Sequence, residues 1–267
     1  MSTTVSVLMA KVYLIGAGPG APDLLTLRAA RLLQEADIVF YDALVHPDVI
    51  AMATRAEKIA VGKRCGRHST AQKFINKRLV DATRKYERIV RLKGGDPMLF
   101  GRAQEELDAL DAAGVAYEVV PGITAALAAS AQIGVSLTRR GLSRNVAFVT
   151  PRIGEMERES DWVAAAVHAD TATIYMGAGE AERITATLIA RGRKADTPVA
   201  LVESASLPGA RVRYATLRAL PHLAAQSGNG PAIILLGEVL REKLAAQLAS
   251  AMNCEVNAQA PANKRSA

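Results

Sequence analysis

Short aliphatic runs alternate with longer Ala-rich stretches along the first half of the chain, and each run gives way within two residues to Gly, Pro or Asp. The runs are Val12–Ile15, Ile38–Tyr41, Ile89–Leu92 and Tyr117–Val120. They are too short for helices and rich in β-branched side chains, which predicts strands, while the intervening segments carry helical spacing. Strand-then-helix alternation of this kind predicts α/β layering. The punctuation then falls at the carboxyl ends of strands: GAGPG from Gly16, Asp42, KGGDP from Lys93, and PGIT from Pro121.

The basic connector LTRRGLSR, Leu137 to Arg144, interrupts the series, which restarts at Asn145–Val149. Further strands are predicted at Thr173–Tyr175, Val199–Val202, Arg211–Ala215 and Ile233–Leu236, with helices near Ala181–Ala190 and Glu238–Ala249. The expected organisation is an N-terminal α/β domain over 1–141, a second over 142–252 and a loose tail over 253–267, where the sequence is polar and aperiodic. A chain of 267 residues, half of them apolar, is long enough for two such cores.

Charge adds one constraint. Lys and Arg number 33 against 26 Asp and Glu, a formal charge of +7, so an anionic partner is expected. Nucleic acid is one such partner, but aromatics are only 4% of residues, leaving few stacking surfaces, and no nucleic-acid motif is present. Cys65 and Cys254 stand far apart without metal-ligand spacing, and His46, His68, His168 and His222 show none either, so no metal is assigned. The apolar stretch from Val5 is broken by Lys11 and has no basic segment before it, and no run is long enough to span a bilayer. These features predict a cytoplasmic protein that binds no membrane.

The glycine loop leaves alternatives open. Gly16, Gly18 and Ala21 satisfy a G-x-G-x-x-A dinucleotide pattern, with Asp37 or Asp42 at the distance of a ribose-binding acid, so a nicotinamide dehydrogenase is one reading. Pro19 and Pro22 each remove a backbone donor that a pyrophosphate would need, which favours a ligand without phosphates or a purely structural turn. In KGGDP, Gly94 and Gly95 let a ligand approach the backbone, and Asp96 serves either as acceptor for a hydroxyl or amine or as a helix cap. Asp42 is likewise either the cap of a helix over Val45–Ala51 or a proton acceptor. Trp162, after Asp161 at a helix start, reads as a packing residue.

Taken together, VYLIGAGPG at 12–20, YD at 41–42, VGKR at 61–64, RLKGGDP at 91–97, FGR at 100–102, VPGITAA at 120–126 and LTRR at 137–140 resemble the tetrapyrrole methylase family in order and spacing. TIYMG at 173–177, PVALVE at 198–203 and GPAIILLGEV at 230–239 extend the similarity over nearly all of the chain. The VGKR and RLKGGDPxxFGR pair resembles the branch that methylates uroporphyrinogen III rather than those acting on later precorrins. The resemblance implies a homodimer of two α/β domains, with S-adenosylmethionine in the cleft between them and S-adenosylhomocysteine as product. The implied activity is methylation of uroporphyrinogen III at C2 and C7, through precorrin-1 to precorrin-2, for sirohaem, cobalamin or haem d1. It further implies that Pro19, Gly94, Gly95, Asp96, Leu99, Thr124, Ala125, Met176 and the backbone around Ala205 line the cofactor site. Asp42 and Lys63 match the proton acceptor and donor, and Arg102, Glu105 and Arg140 match polar positions facing the macrocycle.

Because that substrate carries a rim of acetates and propionates, Arg64, Arg67, Arg102, Arg139, Arg140 and Arg152 are candidates to grip it bidentately; each alone also reads as a solvated surface charge. The chain departs from the family pattern at Ala21, where an aspartate is usual, and Asp23 is the nearest replacement. Ala103-Gln104, Arg139 and Pro151-Arg152 are further departures. The methylase motifs begin at the start of the chain, which predicts no attached dehydrogenase or chelatase domain.

Overall fold

The computed structural model describes residues 10–61, 68–154, 161–228 and 230–259, the backbone alone for 68–71 and 253–259. It is mixed α/β with two five-stranded sheets, each in its own compact unit. The first unit takes the chain up to Gln132 and, from much later, Ser204–Ala210; the second begins at Ile133. The expected boundary at 141/142 thus falls nine residues later than the change of unit, because the LTRR connector packs with the second unit.

The first sheet has the order β3-β2-β4-β1-β5, from β1 (Lys11–Gly16), β2 (Ile38–Tyr41), β3 (Glu57–Ala60), β4 (Arg88–Lys93) and β5 (Ala116–Val120). Every pairing in it is parallel. Both faces of such a sheet are covered, which is why its strands read as continuous aliphatic runs. Alternation splits the core in two. Ile15, Val39, Val90, Leu92 and Val120 face α1 (Leu27–Glu35) and α2 (Pro47–Ala51). Val12, Leu14, Ile38, Phe40 and Ile89 face α3 (His68–Ala82) and α4 (Ala103–Ala112). β3, absent from the expected strands, is an exposed edge in which only Ile59 is partly buried, so it carries no hydrophobic signal.

The second sheet has the order β6-β7-β10-β8-β9: β6 (Val146–Val149), β7 (Thr171–Tyr175), β8 (Pro198–Glu203), β9 (Arg211–Thr216) and β10 (Ala232–Gly237). β6 and β7 are parallel and the other pairs antiparallel. Its core includes Trp162, Ile174, Ile184, Leu188, Leu201, Leu217 and Ile234. Trp162, at the start of α6 (Trp162–His168), is buried there, beneath an Asp161 cap that accepts from Ala164 N–H at 2.9 Å. α5 (Ala125–Ile133) follows PGIT, and α7 (Ala181–Ala190) and α8 (Leu220–Ala225) pack on the second sheet.

The last described element is α9 (Arg241–Gln259). The tail expected from Asn253 is corrected over its first seven residues, where the helical backbone continues to Gln259. No Gly or Pro interrupts that stretch before Pro261, so nothing local stops the helix. Among the described residues no helix is long and apolar enough to cross a membrane.

Candidate functional site

A parallel sheet places all its strand carboxyl ends along one edge, where ligands of open α/β sheets bind. Here that edge gathers GAGPG after β1, Asp42 after β2, KGGDP after β4 and PGIT after β5. Three of these loops touch through bare backbone. A Cβ on Gly122 would stand 2.3 Å from the Gly95 carbonyl oxygen and 2.8 Å from Gly16 Cα. Gly18 and Gly95 exchange hydrogen bonds, Gly18 N–H to Gly95 O at 3.1 Å and Gly95 N–H to Gly18 O at 2.8 Å. Asp96 completes the clasp: one carboxylate oxygen accepts from Gly122 N–H at 2.9 Å and the other from Met98 N–H at 2.7 Å. It therefore does not cap α4, whose N-cap is Arg102, and its carboxylate braces the turn.

The glycine loop is not arranged for a pyrophosphate. Ala17 N–H donates to Lys93 O at 2.7 Å, Gly18 N–H to Gly95 O, and Ala21 N–H to Ser206 Oγ at 3.1 Å, while Pro19 and Pro22 have no N–H. With those donors committed internally, the dinucleotide reading loses its physical basis. Gly95, by contrast, holds φ +68°, and a Cβ placed on it would meet nothing nearer than Thr124 Cα at 4.0 Å, leaving a bare stretch of backbone that a nucleoside can lie against.

The Ser204–Ala210 loop is drawn onto this edge. Ser206 accepts from Ala21 and its own N–H donates to Gln132 Oε1 at 3.2 Å, while Leu207 lies 3.0 Å from where a Gly20 Cβ would be. The loop carries Ala205, which is buried. Asp23 is exposed, so the hydroxyl of Ser206, not a carboxylate, meets the backbone of Ala21. Among the described residues the five non-glycine residues of positive φ are Phe100, Arg102, Met176, Ser204 and Ser206, all in or beside expected site loops. Strain held at such positions marks function more often than stability.

Asp42 is not a helix cap. The N-cap of α2 is His46, whose ring nitrogen accepts from Asp48 N–H. The Asp42 carboxylate instead meets Arg91 Nη2 at 3.1 Å and leaves its other oxygen, Oδ1, buried without a hydrogen-bond partner. Arg91 begins a chain of charges on the α4 side of β4, in phase with Ile89. Its Nε donates to Glu106 at 3.0 Å, and Lys93 Nζ donates to the same Glu106 oxygen at 3.1 Å. Gln72 adds a third donor at 3.2 Å. Arg91, Lys93 and Glu106 are all buried. Burial depresses the Lys93 amine and the neighbouring Arg91 adds to this, against the attraction of Glu106 and Asp42. None of these three was singled out from the sequence. The signal was nonetheless present, since Glu106 falls on the inward stripe of α4 with Ala103, Leu107 and Leu110.

Other expected site residues are more dispersed. Arg102 and Glu105 pair with each other at 2.6 Å and are largely exposed. Leu99 and Thr124 are partly buried beside the clasp, and Ala125 opens α5. In the second unit, Met176 follows β7 and is exposed, Arg140 is exposed, and Arg139 pairs with Glu242 at 2.9 Å. Pro151 O accepts from Arg183, and Arg152 is exposed. Lys63, Arg64, Cys65 and Arg67 lie outside the described residues, as does the side chain of Cys254. Among the described residues no group of His, Cys, Asp or Glu is arranged to hold a metal.

The chain thus carries a parallel sheet whose three glycine loops are locked edge to edge, and a second, mixed sheet. The model for tetrapyrrole (corrin/porphyrin) methylases matches residues 11–221, and the chain belongs to that family. Among curated relatives, siroheme synthase of Pseudomonas putida is 48% identical over 239 residues and that of Zymomonas mobilis 47% over 230. Those matches cover 88% and 86% of this chain but 52% and 49% of the relatives, so the chain spans about half their length. A uroporphyrin-III C-methyl transferase from Thermus thermophilus, complexed with S-adenosyl homocysteine, is 40% identical with TM-score 0.76, covering 87% of this chain and 94% of that one. A cobalt precorrin-4 methyltransferase also reaches TM-score 0.76, at 31% identity, over 86% of this chain and 95% of its own.

Proposed function

We propose that this chain transfers methyl groups from S-adenosylmethionine to uroporphyrinogen III at C2 and C7, giving precorrin-2 through precorrin-1 and supplying sirohaem, cobalamin or haem d1 synthesis. The observation that carries the reading is the 40% identity to the Thermus enzyme, complexed with the demethylated cofactor, across nearly the full length of both chains. The VGKR and RLKGGDPxxFGR pair supports this reading over methylation of a later precorrin by its resemblance to the uroporphyrinogen III branch. We assign the cofactor to Pro19, Gly94, Gly95, Asp96, Leu99, Thr124, Ala125, Met176 and Ala205. The bare backbone at Gly95, the internal commitment of the Ala17, Gly18 and Ala21 amides and the missing N–H of Pro19 and Pro22 suit a nucleoside that carries no phosphate.

When bound, S-adenosylmethionine supplies a sulfonium methyl, an electrophile for an electron-rich pyrrole carbon, so most of the protein's work is positioning. The macrocycle must then lose a proton. Asp42, half held by Arg91 and with Oδ1 unpartnered, is assigned as the acceptor, and Lys63 as the donor. Arg102, Glu105 and Arg140 are assigned to polar positions facing the macrocycle, the two arginines toward its acidic rim. The Arg102–Glu105 pair must open to expose its guanidinium, at small cost because both partners are exposed. We further propose that the chain acts in the cytoplasm as a homodimer, which light scattering tests.

Incubating the purified protein with uroporphyrinogen III and S-adenosylmethionine should yield the doubly methylated product. Absence of that product, or a clear preference for a later precorrin, refutes the assignment. In a melting experiment S-adenosylhomocysteine should stabilise the protein and a nicotinamide dinucleotide should not.

A further inference from the structure

We propose that Glu106 is a positioning residue for Asp42, acting through Arg91 from the interior of the first unit. The inference rests on the reading of Asp42 as proton acceptor in the methylation.

The geometry runs in one line. Glu106, with no exposed side-chain surface, gathers Arg91 Nε at 3.0 Å, Lys93 Nζ at 3.1 Å and Gln72 Nε2 at 3.2 Å on a single carboxylate oxygen. Arg91 is then gripped on both sides. Nε is fixed by Glu106 and Nη1 by the carbonyl of Leu92 at 3.1 Å, so the planar guanidinium has one orientation left, with Nη2 turned to Asp42 Oδ2. The result is a carboxylate tethered through Oδ2 whose Oδ1 has no partner. Glu106 likewise leaves its Oε2 buried without a partner, whereas Asp96, which braces its turn, satisfies both oxygens.

The location argues the same way. The surrounding face is aliphatic, with Ile75, Leu79, Ile89, Leu107 and Leu110, and packing needs no charge there. Replacing a buried ionic cluster by apolar residues commonly leaves stability unchanged or improved, so a cluster kept at the carboxyl end of the sheet points to the site it touches. Two buried cations beside Asp42 would also draw its carboxylate inward. Glu106 neutralises one of them and leaves Asp42 with a single tether.

The test is a double-mutant cycle in the full chain with Asp42→Asn, Glu106→Gln and their combination, measuring kcat, KM for uroporphyrinogen III and affinity for S-adenosylhomocysteine. Glu106→Gln should lower kcat about tenfold while KM and cofactor affinity stay within about twofold; added to Asp42→Asn it should cost less than about twofold more, because its partner is already gone. A merely structural role would leave kcat intact or make the two losses multiply, and either result overturns the proposal. Gln72→Met, which removes one donor to Glu106 and no charge, carries the same cycle if Glu106→Gln does not fold. Its expected loss is about threefold in kcat, vanishing in the Asp42→Asn background. A fully active Asp42→Asn enzyme overturns the proposal while leaving the methylase reading intact. A wild-type chain that methylates no tetrapyrrole fails that reading before any variant is compared, and the inference falls with it.

Discussion

Gly122→Ala isolates the packing on which the candidate site is built. The new Cβ would lie 2.3 Å from Gly95 O and 2.8 Å from Gly16 Cα, where ordinary contacts begin near 3.4 Å. Both neighbours are backbone atoms in strand-terminal loops, so neither can swing aside, and the loops must separate by roughly 1 Å. That displacement also stretches the bond from Gly122 N–H to Asp96. Overpacking of this kind costs about 1–3 kcal/mol, and with no flexible atom to yield the upper figure applies. For a protein of this size about 3 kcal/mol corresponds to a fall of roughly 6–12 °C in Tm. Far-ultraviolet circular dichroism on heating measures it. Gly114→Ala is the control, because that glycine has φ +66° with nothing within 4 Å, so it reports backbone strain alone. A Gly122→Ala drop no larger than the control's would refute the idea that the three loops are locked by contact.

Three further outcomes are expected. Ser206→Ala should expose the Ala21 amide, at a cost of about 1 kcal/mol, and accelerate its hydrogen exchange; unchanged exchange would show that the hydroxyl does not hold the loop. Lys93, depressed chiefly by burial, binds fewer protons folded than unfolded as pH approaches the ordinary lysine range. The stability of wild type relative to Lys93→Met should therefore rise between about pH 7 and pH 10 in urea unfolding, and a flat or falling difference contradicts the burial of its charge. Burial would push the Glu203 carboxyl up, but the Gly228 N–H, Arg211 and Arg213 outweigh it and hold it below its usual range. A depressed acid stabilises above its unfolded value and loses that stabilisation as pH falls, so Glu203→Gln should cost about 2 kcal/mol at neutral pH and progressively less below about pH 4. A cost that persists unchanged in acid would mean the charge is not what holds β8 to β9.

Much of the first sheet was legible because parallel strands buried on both faces leave nearly uninterrupted aliphatic runs, and because loops at their carboxyl ends need Gly and Pro. β2 appears in the structure with its expected ends, β1 and β4 are longer than expected by one residue at each end, and β5 by one residue at its start. β3 was invisible, since an exposed edge strand of sequence EKIA has no buried face to pattern it. The order of the second sheet was equally out of reach. β10 inserts antiparallel between β7 and β8, a pairing decided by long-range packing rather than by any local run.

The site divides along the same physical line. Backbone requirements leave marks that single residues can show, and so the glycines and prolines of GAGPG, KGGDP and PGIT located the edge where the loops meet. The role of a carboxylate depends on what reaches it, and that is not local. Asp42 and Asp96 had the same two readings from sequence, cap or functional acid, yet one is tethered by a single oxygen to a buried arginine and the other braces two backbone amides. The difference is made by Arg91, 49 residues beyond Asp42, and by Glu106, 15 further on. A charge placed on the apolar stripe of a helix, opposite charges in phase on a buried strand, is the pattern that betrays such a chain. It becomes readable once α4 is known to lie over β4, because only then do Glu106, Arg91 and Lys93 have to answer for one another.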